Sequence, residues 1–128
     1  MSYYFSKMLN LGFEAAIERV AEALQAEGFG ILTEINVAAT FKKKLDVDFR
    51  PYRILGACNP GFALKALSVE DKIGTMLPCN VIVQVLDDGK VEVAAVDPAA
   101  SMSAVENPAL TEIAGDVRAR LIRVIEGL

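Results

Sequence analysis

Two Cys-Asn pairs are the residues of this sequence best equipped for chemistry. Cys58-Asn59-Pro60 follows the apolar run Ile54-Leu55-Gly56-Ala57, and Cys79-Asn80 follows Leu77-Pro78. A cysteine acts as nucleophile or metal ligand through its thiolate, which nearby positive charge stabilises. Asn59-Pro60 has the form of a helix start, a capping side chain followed by proline at the first helical position. Unpaired N–H groups at such a start carry partial positive charge, which would favour a Cys58 thiolate or the anionic group of a ligand. A plainer reading stands beside it. In it Asn59 simply caps the helix, and Cys58 is a small buried hydrophobe, as free cysteines commonly are.

Other chemistry is narrowed by what is missing. The chain has no histidine, which removes the Ser-His-Asp triad, the Cys-His dyad and His-ligated zinc. A catalytic role would fall to Cys58 or Cys79, with Asp97 or a glutamate as base, yet no spacing places one beside them. Asp97-Pro98 itself reads as a strand-ending turn. Two sulfurs per chain are too few for a zinc site unless a dimer axis pairs them, so no metal is expected. No pattern names a cofactor. Gly28-Phe29-Gly30 follows a helix and precedes a strand, the reverse of a nucleotide-binding loop. Lys42-Lys43-Lys44 reads as a solvated helix face. Arg118, Arg120 and Arg123 suit the C-terminal half of a helix, with Asp116 spaced to pair with Arg120. Tyr3, Tyr4 and Tyr52 fit strand positions facing a core better than a pocket.

The elements that must position these residues follow from periodicity. The chain has 128 residues, 53% of them hydrophobic and 23% charged, which fits one domain, 1–128, with a real core. Tyr3 to Leu9 reads as a strand. Phe13, Ala16, Ile17, Val20 and Leu24 then mark one face of a helix that Gly28 stops. A second strand over Gly30 to Asn36 leads to a short helix capped by Asn36. Tyr52 to Ala57 is a third strand, followed by a short helix from Pro60 to Leu67. Ser68-Val69-Glu70-Asp71 can cap a further turn. Val81 to Leu86 and Val91 to Val96 form a hairpin around Asp88-Gly89. Asn107-Pro108 opens a long final helix whose stripe runs through Leu110, Ala114, Val117, Leu121, Val124 and Leu128.

This order predicts a two-layer α+β domain, a mainly antiparallel sheet of about five strands with two long helices on one face. The other sheet face needs a cover, because Ile82 and Leu86 alternate away from Val81, Val83 and Val85. A homodimer with two-fold symmetry is the simplest one. The net charge of −4 lacks the basic footprint of a nucleic-acid binder. No apolar stretch approaches the roughly 18 residues of a membrane helix, and the first residues do not read as a signal peptide. A cytoplasmic protein with two reduced thiols is the expectation.

The segments Ile54-Leu55-Gly56-Ala57-Cys58-Asn59-Pro60, Leu77-Pro78-Cys79-Asn80 and Asp97-Pro98, in that order, resemble the family catalogued as domain of unknown function number 302. Gly28 to Ile35 and Val47 to Tyr52 are similar to it too, so the resemblance spans essentially the whole chain. It implies a strand-helix-four-strand-helix fold of the TATA-binding-protein-like kind and a homodimer. It implies no activity, and such a fold carries no implication of DNA binding. Gly12 stands where the family often opens its first helix with a hydroxyl or acidic residue.

Two functions remain open at this level. One is a homodimeric binding module for a small molecule, anions included, held near Cys58, Asn59, Cys79 and Asn80. The other is a cysteine-dependent enzyme or a thiol redox or sulfur-handling protein. A structural dimerisation domain without a ligand is a third, duller possibility.

Overall fold

The computed structural model describes residues 2–128. Five strands form one antiparallel sheet: β1 (Tyr4–Leu9), β2 (Gly30–Asn36), β3 (Tyr52–Cys58), β4 (Cys79–Val85) and β5 (Val91–Val96), in the spatial order β1-β5-β4-β3-β2. The helices are α1 (Phe13–Ala26), α2 (Val37–Leu45), α3 (Pro60–Val69), α4 (Pro98–Ser101) and α5 (Pro108–Glu126), with a 3-10 helix over Asp71–Met76. The α+β architecture read from periodicity is the one observed. No helix among the described residues is long and apolar enough to cross a membrane.

Strand alternation decides which residues meet the helices. Val81 and Val83 of β4, Val93 and Ala95 of β5, and Leu55 and Ala57 of β3 are buried on one face. Against them pack Ala16, Val20 and Leu24 of α1 and Val117, Leu121 and Val124 of α5. These are the apolar stripes at helical spacing, so burial of that stripe, more than propensity, fixes both helices. A second small cluster joins Ala66, Ile73, Met102, Leu110 and Ala114 beyond one end of the sheet.

Chain ends of elements follow the local chemistry. Gly28 takes φ +86° after α1, and Gly89 takes φ +82° in the β4–β5 turn. Asn36, Asn59 and Asn107 accept backbone N–H bonds as caps of α2, α3 and α5. Gly12 precedes α1 without a side-chain cap.

Some expectations need correction. Asp97 does not merely end β5. Its carboxylate caps α4 through Ala99 and Ala100, and Arg118 pairs with it at 3.3 Å. Arg120 donates to the Glu27 carbonyl at 3.0 Å, not to Asp116, and Arg123 pairs with Glu27 at 3.0 Å. These arginines reach across to other elements because α5 lies against both α1 and α4. The Ser68 hydroxyl bonds back to Leu64 within α3 instead of capping the next turn. Tyr3 and Tyr4 are not core: they are 70% and 42% exposed, at the start of β1, while Tyr52 of β3 is half-buried.

The face away from the helices carries a cross-strand row of Ile35, Ile54, Ile82 and Ala94. The next row holds Tyr52, Gln84, Glu92 and Met8. Helix α2 contacts β2 and β3 but buries none of its own residues. Phe41, Phe49 and Tyr52 form an aromatic chain with ring centroids 5.1 and 6.3 Å apart, and Arg50 lies 4.4 Å from the Phe49 ring.

Candidate functional site

Cys58 and Cys79 come together because β3 and β4 are neighbours. Ala57 stands opposite Cys79 in the ladder, so Cys58 is one residue further along, at the same end of the sheet. Asn59 then caps α3, which folds back over that end. The result is a cavity of about 40 Å³ bordered by Cys58, Asn59 and Cys79, with Phe62 of α3, Met102 after α4 and Leu110 of α5 among its walls.

Packing is tight next to the cavity. Gly56 of β3 has no room for a side chain, since a Cβ there would fall 2.1 Å from Thr33 Oγ1 and 2.7 Å from Pro78 Cγ. The Leu77–Pro78 peptide is cis, and Pro78 also borders the cavity.

The polar groups at the site are largely committed. Asn59 Oδ1 accepts the Phe62 N–H at 3.3 Å. Its Nδ2 packs on Gly28, where an added Cβ would approach to 2.9 Å. Asn59 therefore fastens the end of α1 to the start of α3. Cys79 is buried, and its thiol is pushed up to about 11, first by burial and then by the proximity of Cys58. A thiol held this way is neutral near pH 7 and a poor nucleophile. Cys58 is half-buried, and both cysteines are free. No carboxylate, lysine or arginine among the described residues lines the cavity. Asp97, the candidate base, is instead held in its cap and its bond to Arg118.

Asn80 goes elsewhere. One residue beyond Cys79, it faces the opposite side of the sheet and is exposed. There it lines an open groove of about 370 Å³ with Tyr4, Tyr52, Ile82 and Glu92. Three of the four residues singled out by type thus share a cavity, and the fourth belongs to another surface. Phe62, Met102 and Leu110 carried no separate signal in the sequence. Each occupies an apolar position that would serve equally well in a core, and only the tertiary arrangement leaves space between them.

The profile of the family described as Domain of unknown function DUF302 matches residues 5–128. No protein with a curated description matches the chain. The fold is similar to the crystal structure of an uncharacterized conserved protein DUF302 from Bacillus stearothermophilus. The two share 31% sequence identity over 98% of each chain, with a TM-score of 0.91. With nearly its whole length matched by the profile, and a solved relative sharing its fold, the chain belongs to the DUF302 family.

Proposed function

We propose that this domain is a binding module for a small molecule, working as a homodimer. The observation that carries the reading is the cavity where the ends of β3 and β4 meet α3 and α5, bordered by Cys58, Asn59 and Cys79. Concave, mostly apolar spaces with a few polar groups are the usual form of small-ligand sites. A thiol-based reaction is the weaker reading, because burial keeps Cys79 protonated and no base stands beside either sulfur.

A ligand-observed NMR screen with fragments of fewer than ten heavy atoms tests the module. Binding to the wild type should be lost in Ala114→Leu, which fills the cavity from α5. Fragments that bind both proteins alike, or none that bind at all, would overturn the reading.

Dimerisation is supported by the uncovered sheet face. Tyr4, Met8 and Ile35 are each more than 40% exposed, beside the half-buried Ile54 and Ile82. A contiguous apolar face of this kind is characteristic of association surfaces. Sedimentation equilibrium should give a dimer for the wild type and a monomer for Ile82→Lys, with Ile82 at the middle of the row. A wild-type monomer at micromolar concentration would remove this part of the proposal.

A further inference from the structure

We infer that the ligand of the cavity is a small, uncharged, apolar molecule of about four heavy atoms or fewer. This rests on the reading of the cavity as a ligand site and names its chemical class. The walls are rings, hydrocarbon and sulfur: Phe29, Phe62, Met102, Leu110 and Ile113 surround the two cysteines. A polar molecule placed there would lose hydrogen bonds to water with only the Asn59 amide at the edge to replace them, which costs several kcal/mol in an apolar site.

An anion is specifically ill-served. The start of α3 is the natural anion site, but Pro60 has no N–H and the two amides that border the cavity are taken. Phe62 N–H bonds to Asn59 Oδ1 and Ala63 N–H to the Asn59 carbonyl, at 3.3 and 2.9 Å. Arg120 does not line the cavity; its guanidinium carbon lies 5.2 Å from the Phe62 ring centroid, and it spends a donor on the Glu27 carbonyl. The protonated Cys79 thiol offers only a weak donor.

Size sets the other limit. A volume of about 40 Å³ exceeds the roughly 10–15 Å³ one water needs, yet water also wants two to four polar partners. Apolar cavities of protein interiors stay dry and take xenon or small hydrocarbons for that reason. The volume lies far below the roughly 300 Å³ at which drug-sized sites begin.

Xenon and acetate, an apolar sphere and a small anion, are the probes. Methionine-methyl-labelled protein is titrated with each, the Met102 signal being assigned by its loss in Met102→Leu. Xenon should shift the Met102 methyl saturably and raise the melting temperature, and acetate should do neither. The xenon shift should vanish in Ala114→Leu. Should that variant fail to fold, Leu110→Ala, which enlarges the cavity, should give a larger xenon response. Absence of a xenon shift in the folded wild type overturns the inference. If acetate then shifts Met102 and slows alkylation of Cys58, the site binds ligands but of the other class. If neither probe acts on Met102, this inference fails; the fragment screen decides the ligand-site reading separately.

Discussion

Asn59 and Asn80 follow cysteines in matching sequence contexts, yet their side chains have opposite fates. Asn59 caps α3 and packs on Gly28, while Asn80 projects from the open sheet face. Asn59→Ala should therefore cost about 1 kcal/mol, the usual value of a helix cap. Asn80→Ala, on an exposed position, should stay within about 0.5 kcal/mol of wild type. Urea denaturation of the two variants side by side checks the contrast. Gly56→Ala faces a harder limit, because Thr33 Oγ1 can rotate away but the Pro78 ring cannot. Overpacking of this kind should destabilise by about 1–3 kcal/mol.

Cys79 supplies a pH dependence at the same scale. Its folded pKa of about 11 lies above the ordinary 9.0, through burial and then Cys58. The native state thus holds a proton that the unfolded chain releases, so stability is full below about pH 9 and falls as pH rises towards 11. Cys79→Ala should flatten that part of the stability profile relative to wild type. N-ethylmaleimide at pH 8, followed by mass spectrometry, should label Cys58 well ahead of Cys79.

Among elements, what could be read beforehand was whatever repeats along the chain or sits at an end. The stripes of α1 and α5, the Asn-Pro starts of α3 and α5 and the Asp88-Gly89 turn all have local causes, and all are present. Helix α4 has four residues, too few for any periodicity, so Asp97-Pro98 looked like a simple turn. The partners of Arg118, Arg120 and Arg123 depend on which element lies across from α5, which no spacing within the helix contains. The candidate site was half visible for the same reason. Adjacency of Cys58 and Cys79 follows once β3 and β4 are neighbours, whereas a void between Phe62, Met102 and Leu110 is a property of packing alone.

Asp97 provides a test of that tertiary link. Asp97→Asn can keep the cap of α4 but loses the charge that holds Arg118. Asp97→Ala loses both in a nearly buried place, where Asp97 is 8% exposed. The alanine variant should be the less stable by about 1 kcal/mol, the share of a helix cap, as read from thermal or chemical denaturation.

At the scale of the whole molecule, the helices cover one side of the sheet and leave the other to the Ile35–Ile54–Ile82–Ala94 row, partly flanked by α2. The two sides therefore separate the two proposed roles: the cavity lies towards α3 and α5, and Asn80 lies with the tyrosines on the uncovered face. Ile82→Lys should abolish association while leaving a xenon response at Met102 intact, since the substitution is on the far side of the sheet. Loss of both together would mean that the two faces are coupled.

The strand order also sets a timetable for folding. Strands β2 to β5 pair with their sequence neighbours, but β1 pairs only with β5, roughly ninety residues downstream. Closing so long a loop costs roughly 2–3 kcal/mol more than closing the five-residue β4–β5 turn, since each doubling of length adds about 0.6 kcal/mol. Strand β1 should thus dock after the folding barrier is crossed. In stopped-flow experiments, conservative changes such as Phe5→Leu should quicken unfolding and leave refolding almost untouched. The first strand made would be the last to join the sheet.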